Sequence, residues 1–311
     1  MSQLVLKIDV DTYRGTLEGV PRLLGALQRA QVKATFLFSL GPDHTGRAIK
    51  RVFRRGFLGK VRRTSVVSHY GVRTLLYGVL LPGPDIGRRC AGVMRQVAQS
   101  GFEVGIHTYD HIKWQDGVAQ ADREWTGRQL ELAREAFVRV FERAPQTHGA
   151  AGWQMNRYVP QLQARMGLRY VSDTRGTTPF IPVMDGKEIG VVQLPTTLPT
   201  LDELIGREDL GGQDPVDHLL SLTERSPGQD QVFTLHAELE GQAYLAGFER
   251  LLRQWRARGQ RLTDLASYAA SLDVPRLPRC RIETGTVPGR AGTLAVQGTT
   301  VTAPAPGAPQ T

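Results

Sequence analysis

Apolar positions along this chain alternate between two periods. Residues 4–11, LVLKIDVD, form a short apolar run closed by two acids, and VPRLLGALQRAQ after it places Leu23, Leu24 and Leu27 at helical spacing. VKATFLFSLG (32–41) is again β-rich. RRCAGVMRQVAQSG (88–101) reads as a helix stopped by Gly101, and FEVGIH (102–107) as the next strand. A long helix is predicted over 118–142, with Trp125, Leu130, Leu132, Phe137 and Phe141 as its apolar positions. THGAAGW (147–153) reads as a short strand or loop, YVPQLQARMG (158–167) as a helix with a glycine stop, and LRYVSD (168–173) as a strand. QVFTLHAE (231–238) has a strand pattern, YLAGFERLLRQWRARG (244–259) a helical one, and RLTDLASYAAS (261–271) reads as a last helix. Such strand–helix alternation predicts an α/β fold with parallel strands, open or closed into a barrel.

Length and composition refine this. A chain of 311 residues is one large domain or two smaller ones. We place one catalytic domain at 1–282 and a disordered tail at 283–311, because TGTVPGRAGTLAVQGTTVTAPAPGAPQT has almost no large apolar residue. No run of about 18 apolar residues occurs, and MSQLVLKIDV lacks the pattern of a signal peptide. Cys90 and Cys280 follow no ligand spacing and are expected as free thiols. The expected location is therefore cytoplasmic.

Charge is unevenly spread. Between Asp43 and Asp85 there is no acid, while Arg47, Lys50, Arg51, Arg54, Arg55, Lys60, Arg62, Arg63 and Arg73 supply the whole net charge of +9. These cations sit in an insertion at about 43–88 that also carries Ile49, Val52, Phe53, Phe57, Leu58 and the run Leu75–Leu81. Over 47–58 the apolar positions share one helical stripe ringed by arginine, the pattern of an interfacial helix meeting anionic headgroups. Arg51, Phe53, Arg54, Arg55 and Phe57 are its expected membrane-interface residues. Nucleic acid is not an expected partner, since the segment carries aliphatic runs and the rest of the chain is neutral.

The chemistry-bearing residues cluster where strands end. Asp9 and Asp11 close the first strand and, two apart, share a face. Adjacent carboxylates resist burial unless a cation or proton relieves them. In GIHTYDH, His107 and His111 stand four apart, a spacing that suits two imidazoles on one metal ion. A carboxylate and two histidines leave positions open for water and substrate on zinc, cobalt, manganese or nickel. Asp173 and His236 also fall at strand ends.

In the order IDVDT, HTYDH, SDTRG and TLHAE, over residues 4 to 270, the chain resembles the polysaccharide deacetylase (NodB-homology) family of metal-dependent N-deacylases. KIDVDTYRGT, ATFLFSLGPDH, GIHTYDHIKWQD, HGAAGWQ, YVSDTRG and QLPTTLPTLDELIG are similar to a narrower branch. Its members deformylate undecaprenyl phosphate-linked 4-deoxy-4-formamido-L-arabinose on the route to lipid A modification and cationic-peptide resistance. The resemblance implies a distorted parallel (β/α) barrel, expected to be seven-stranded. It implies Asp11, His107 and His111 as ligands of a divalent metal ion. Asp9 would be the general base, His236 the general acid, and Asp173 the residue that orients His236. It also implies a lipid-linked aminosugar substrate at an anionic membrane surface, on its inner face. An N-deacetylase of polysaccharide or peptidoglycan, or an inactive glycolipid-binding barrel, are the alternatives.

One motif departs from the family pattern. Where relatives carry an arginine that pairs with the base, this chain reads THGAAGWQMN, with no arginine before Arg157. Arg175 and Gln154 are candidates to orient Asp9 instead, and the small residues 149–152 could bring backbone N–H groups to a substrate. Gly152, Trp153, Gln154 and Arg175 are the expected substrate-binding residues.

Overall fold

The structure, a computed structural model, describes residues 2–48, 73–225 and 228–301. Strand β1 (Gln3–Val10) is buried along its whole length. Its two faces differ in character. Leu4, Leu6, Ile8 and Val10 enter the main hydrophobic core, whereas Val5, Lys7 and Asp9 point to the concave side. The same alternation runs through β2 (Thr35–Ser39) and β3 (Glu103–Thr108), where Phe36, Phe38, Val104 and Ile106 face the core.

The remaining strands are β4 (Thr147–His148), β5 (Tyr170–Val171), β6 (Ile181–Met184), β7 (Lys187–Glu188), β8 (Val192–Gln193), β9 (Gln231–His236), β10 (Arg261–Thr263), β11 (Arg279–Gly285) and β12 (Leu294–Thr300). Seven parallel strands curl in the order β9-β1-β2-β3-β4-β5-β8. The eighth, β10, takes the edge of β1 at Gln3–Val5, below the point where β2 begins pairing at Lys7. Between β8 and β9 there is no continuous ladder. The gap is bridged by Thr197 and Leu198, whose N–H groups donate to Val232 O at 3.1 and 3.2 Å. The result is the expected distorted barrel.

Helices cover the convex face. Leu23, Leu24 and Leu27 of Val20–Ala30, Met94 and Val97 of Ala91–Gln99, and Phe248, Leu251, Leu252 and Trp255 of Leu245–Ala257 all join one core. The long helix begins later than its apolar pattern suggests, at Arg123, because the Asp122 side chain accepts from Trp125 N and caps it. Its buried stripe is Leu130, Ala133, Ala136, Phe137 and Val140, so Leu132 lies off the core. RLTDLASYAAS divides in two. Arg261–Thr263 pairs with β1, and Asp264 caps a helix over Leu265–Ala270.

The composition-based expectation of a disordered tail from 283 fails over 283–300. Strands β11 and β12 pair antiparallel, β11 continues onto β6 and β6 onto β7, forming a second sheet. Main-chain bonds rather than large side chains hold it, with Arg175 N donating to Ala295 O (3.0 Å) and Gln297 N to Arg175 O (2.7 Å). Composition reports the missing apolar bulk but is blind to backbone pairing. Residues 302–311 lie outside the described residues, as do Arg51, Phe53, Arg54, Arg55 and Phe57.

Candidate metal centre and acid–base pair

The ends of β1, β3 and β9 converge on one carboxylate. Asp11 follows the last residue of β1, His107 lies near the end of β3, and His111 opens the helix His111–Gly117. His107 Nε2 is 3.1 Å from Asp11 Oδ1, and His111 Nε2 is 3.5 Å from Asp11 Oδ2. The ligand atoms of the three residues all lie within 4.8 Å of one another. Asp110 holds this geometry, with Oδ1 capping Lys113 N and Oδ2 2.6 Å from His44 Nδ1.

The donor set fits a cation. His107 Nδ1 is 2.7 Å from Gly149 O, a bond that requires the proton on Nδ1 and, in the neutral imidazole a ligand must be, leaves the lone pair on Nε2. That lone pair faces Asp11 Oδ1, a buried oxygen with no hydrogen-bond partner. Two acceptors aimed at each other without a proton make a ligand pair, and the triad is capable of coordinating a metal ion. Burial opposes charge on Asp11, but His111, His107 and His236 hold its carboxyl far below the usual range. Burial pushes the His111 imidazole down to about 4, against the pull of Asp11, which keeps it neutral as a ligand must be.

The loop that carries Asp11 rests on a residue the sequence reading missed. Glu238 Oε1 accepts from Asp11 N (3.1 Å), Thr12 N (2.8 Å) and Thr12 Oγ1 (2.8 Å). A Cβ on Gly15 would fall 1.9 Å from that oxygen, so any side chain there would push the carboxylate off its three donors. Burial, then the Asp11 charge, push the Glu238 carboxyl upward.

Asp9 and His236 are register partners on adjacent strands β1 and β9, and both lie at the concave side. Asp9 Oδ2 is 3.3 Å from Lys7 Nζ. Arg175 does not reach Asp9. Its guanidinium is spent on Glu203 Oε1 (2.6 Å) and Leu198 O (3.0 Å). Gln154 does not reach it either, since its amide donates to Thr293 O in the C-terminal hairpin. The cation beside Asp9 is Lys7, two residues upstream on the same face, a position the strand alternation could have revealed.

The implied pairing of Asp173 with His236 is also revised. Asp173 Oδ1 accepts from His148 Nδ1 and Ala150 N, both at 2.8 Å, and Oδ2 from Gln163 Nε2 at 2.9 Å. The carboxylate near His236 Nδ1 is Asp202, at 3.6 Å, in the TLDELIG stretch. Burial opposes charge on His236, but Asp202, Asp11, Glu240 and Asp9 raise the imidazole to about 9. It is therefore protonated at neutral pH, as a proton donor must be.

The 149–152 turn is largely occupied by internal contacts. Gly149 N donates to Ile106 O (2.9 Å) and Ala150 N to Asp173, so neither amide is free for a substrate. Gly152 has φ +61°, and a Cβ there would meet Gln115 Nε2 at 2.4 Å. Trp153 is buried, with Lys7, Arg175 and Arg290 each about its indole at 5.2, 4.9 and 4.8 Å from the ring centre. Arg290 comes from the segment between β11 and β12, within the stretch expected to be disordered.

Known proteins resemble this chain in sequence and in architecture. The polysaccharide deacetylase family matches residues 10–171. A protein of Shewanella sediminis described as a probable 4-deoxy-4-formamido-L-arabinose-phosphoundecaprenol deformylase is 36% identical over 255 residues, 82% of this chain and 81% of that one. A protein of Wigglesworthia glossinidia brevipalpis with the same description is 30% identical over 284 residues, 91% of this chain and 98% of that one. Among solved structures, one from Mycobacterium smegmatis described as a polysaccharide deacetylase superposes with a TM-score of 0.63 at 20% identity, covering 92% and 94% of the two chains; it bears on the fold alone. The motif order, the Asp–His–His cluster and the extent of these matches place the chain in the polysaccharide deacetylase (NodB-homology) family, a group of metal-dependent hydrolases.

Proposed function

We propose that this protein removes the N-formyl group from a lipid-linked 4-deoxy-4-formamido-L-arabinose, releasing formate and the 4-amino sugar. The observation that carries the reading is the meeting of a metal-ligand triad with Asp9 and His236 at one strand end, in a chain 36% identical to a described deformylase. Asp11, His107 and His111 would hold a divalent ion, which would supply Lewis acidity for the hydrolysis. Asp9 accepts the proton of the attacking water. His236, protonated and held near Asp202, delivers a proton to the nitrogen of the tetrahedral intermediate, so that the C–N bond breaks to release a neutral amine and not an amide anion.

A lipid anchor on the substrate accounts for the basic insertion. Residues 47–63 would meet anionic headgroups, with Arg51, Phe53, Arg54, Arg55 and Phe57 at the interface. Next to Arg47, whose Nε donates to Gly78 O at 3.1 Å, the turn at 77–81 exposes Leu80 (76%), Val79 and Leu81. Among the described residues no helix is long and apolar enough to cross a membrane. The location proposed is thus peripheral, on the inner face.

The test is formate release from an undecaprenyl phosphate-linked formamido-arabinose, with and without chelator and with zinc, cobalt, manganese or nickel restored. Chelator-sensitive release is expected. Absence of formate with every metal, or equal turnover of an N-acetylated sugar, would defeat the deformylase reading.

A further inference from the structure

Lys7 is the most deeply buried cation of the site, with no exposed surface at all. An ammonium ion out of water is tolerated only where its donors are met. Here Nζ lies 3.3 Å from Asp9 Oδ2, donates to Ser172 O at 3.1 Å and sits 5.2 Å from the centre of the Trp153 ring. Anion, carbonyl and indole together fix the ammonium in place.

The room for this side chain is made by the turn that departs from the family pattern. A Cβ on Gly149 would stand 3.2 Å from Lys7 Cε and 3.3 Å from Nζ, and 2.4 Å from Leu37 Cδ1. Gly149 also offers its carbonyl to His107 Nδ1. One glycine therefore admits the lysine and orients a metal ligand.

The two oxygens of Asp9 are consequently unlike. Oδ2 faces Lys7, whereas Oδ1 is buried with no hydrogen-bond partner and lies 3.8 Å from His107 Nδ1. We infer that Lys7 is the positioning residue for Asp9: it fixes Oδ2 and so presents Oδ1 as the oxygen that accepts the proton of the attacking water. This assignment rests on the hydrolase reading above.

A mutant cycle on the full-length, metal-loaded protein tests it, using Lys7→Met, Lys7→Arg, Asp9→Asn and the double Lys7→Met/Asp9→Asn. Formate release yields kcat and KM, elemental analysis gives metal content, and melting curves report folding. For Lys7→Met, kcat is expected to fall about 100-fold with KM within about twofold and metal content unchanged, the cost of a misplaced reacting group. Lys7→Arg should recover at least about tenfold of that loss. The double variant should be no slower than Asp9→Asn alone, because the lysine acts only through the aspartate. It should also melt above Lys7→Met, in which Asp9 is left buried and unpaired. Losses that multiply in the double variant, or an Lys7→Met enzyme within about threefold of the parent, overturn the assignment. Should Lys7→Met fail to fold, a folded double variant supports the pairing and an unfolded one refutes it. A parent protein that releases no formate overturns the hydrolase reading instead, and the melting comparison then still decides whether Lys7 and Asp9 act as a pair.

Discussion

Replacing Glu238 with alanine removes one acceptor and strands three donors. Oε1 of this residue accepts from Asp11 N, Thr12 N and Thr12 Oγ1, and Thr12 is itself buried. A buried donor left without a partner costs about 1–3 kcal/mol. Thr12 Oγ1 already accepts from Gly15 N (2.9 Å), so rotating to find another partner would break a second bond. A water molecule in the vacated space could satisfy two of the three donors, which sets the expected destabilisation at about 3 kcal/mol rather than three full penalties. Glu238→Gln keeps an oxygen for all three donors and should cost about 1 kcal/mol or less. Urea unfolding in the presence of chelator measures both variants without a contribution from bound metal. Equal losses in the two variants would show that charge, not the shared acceptor, is what matters, and a loss under about 1 kcal/mol in Glu238→Ala would show that the loop does not depend on this carboxylate.

Further outcomes follow from the same geometry. Asp11→Ala should release the metal and lower formate production by more than the roughly 10–100-fold typical of residues behind a ligand, and full metal occupancy would remove Asp11 from the donor set. The alkaline limb of the rate profile should track loss of the His236 proton, near the raised value of about 9. Asp202 helps to hold that value up, so Asp202→Asn should move the limb to lower pH, and an unmoved limb would separate the two residues. Gly149→Ala forces a methyl group against Leu37 and Lys7, and should cost about 1–3 kcal/mol in thermal stability while lowering kcat. Ending the chain at Pro278 removes the main-chain partners of Arg175, and should lower the melting temperature and formate release together; a fully active truncated protein would contradict the packing of the hairpin.

The legible parts of this protein were those encoded by local periodicity. Leu4, Leu6 and Ile8 announced a strand, and Asp9 and Asp11, two apart, announced a shared face at its end. The histidine pair and a carboxylate face were visible because strand alternation and a four-residue spacing are properties of neighbours in sequence, whereas the choice of Asp11 over Asp9 as the third ligand came from the family resemblance. The partners of the catalytic candidates were not visible in that way. Asp202 lies 34 residues before His236, and Glu238 closes on a loop 226 residues away at Thr12. Such contacts depend on how strands are ordered across the barrel, which no short window contains. Lys7 is the exception. It shares the alternation of Asp9 and Asp11, yet a lysine inside an apolar run invites reading as a solvent-facing residue, since lysine is rarely fully buried without a partner. The tail was misjudged for a related reason, because much of its hold on the domain is through backbone groups that every residue possesses.

The C-terminal hairpin also sets the order in which the protein can mature. Asp11 leaves the ribosome long before Arg290, which stacks on Trp153, and Ala295, which pins Arg175. At typical rates of synthesis the two ends of the wall are separated by roughly a quarter of a minute to a minute. During that interval the nascent chain carries its metal ligands without the strand that steadies the turn behind them. Synthesis of the hairpin, rather than formation of the barrel, is then the event that closes the site.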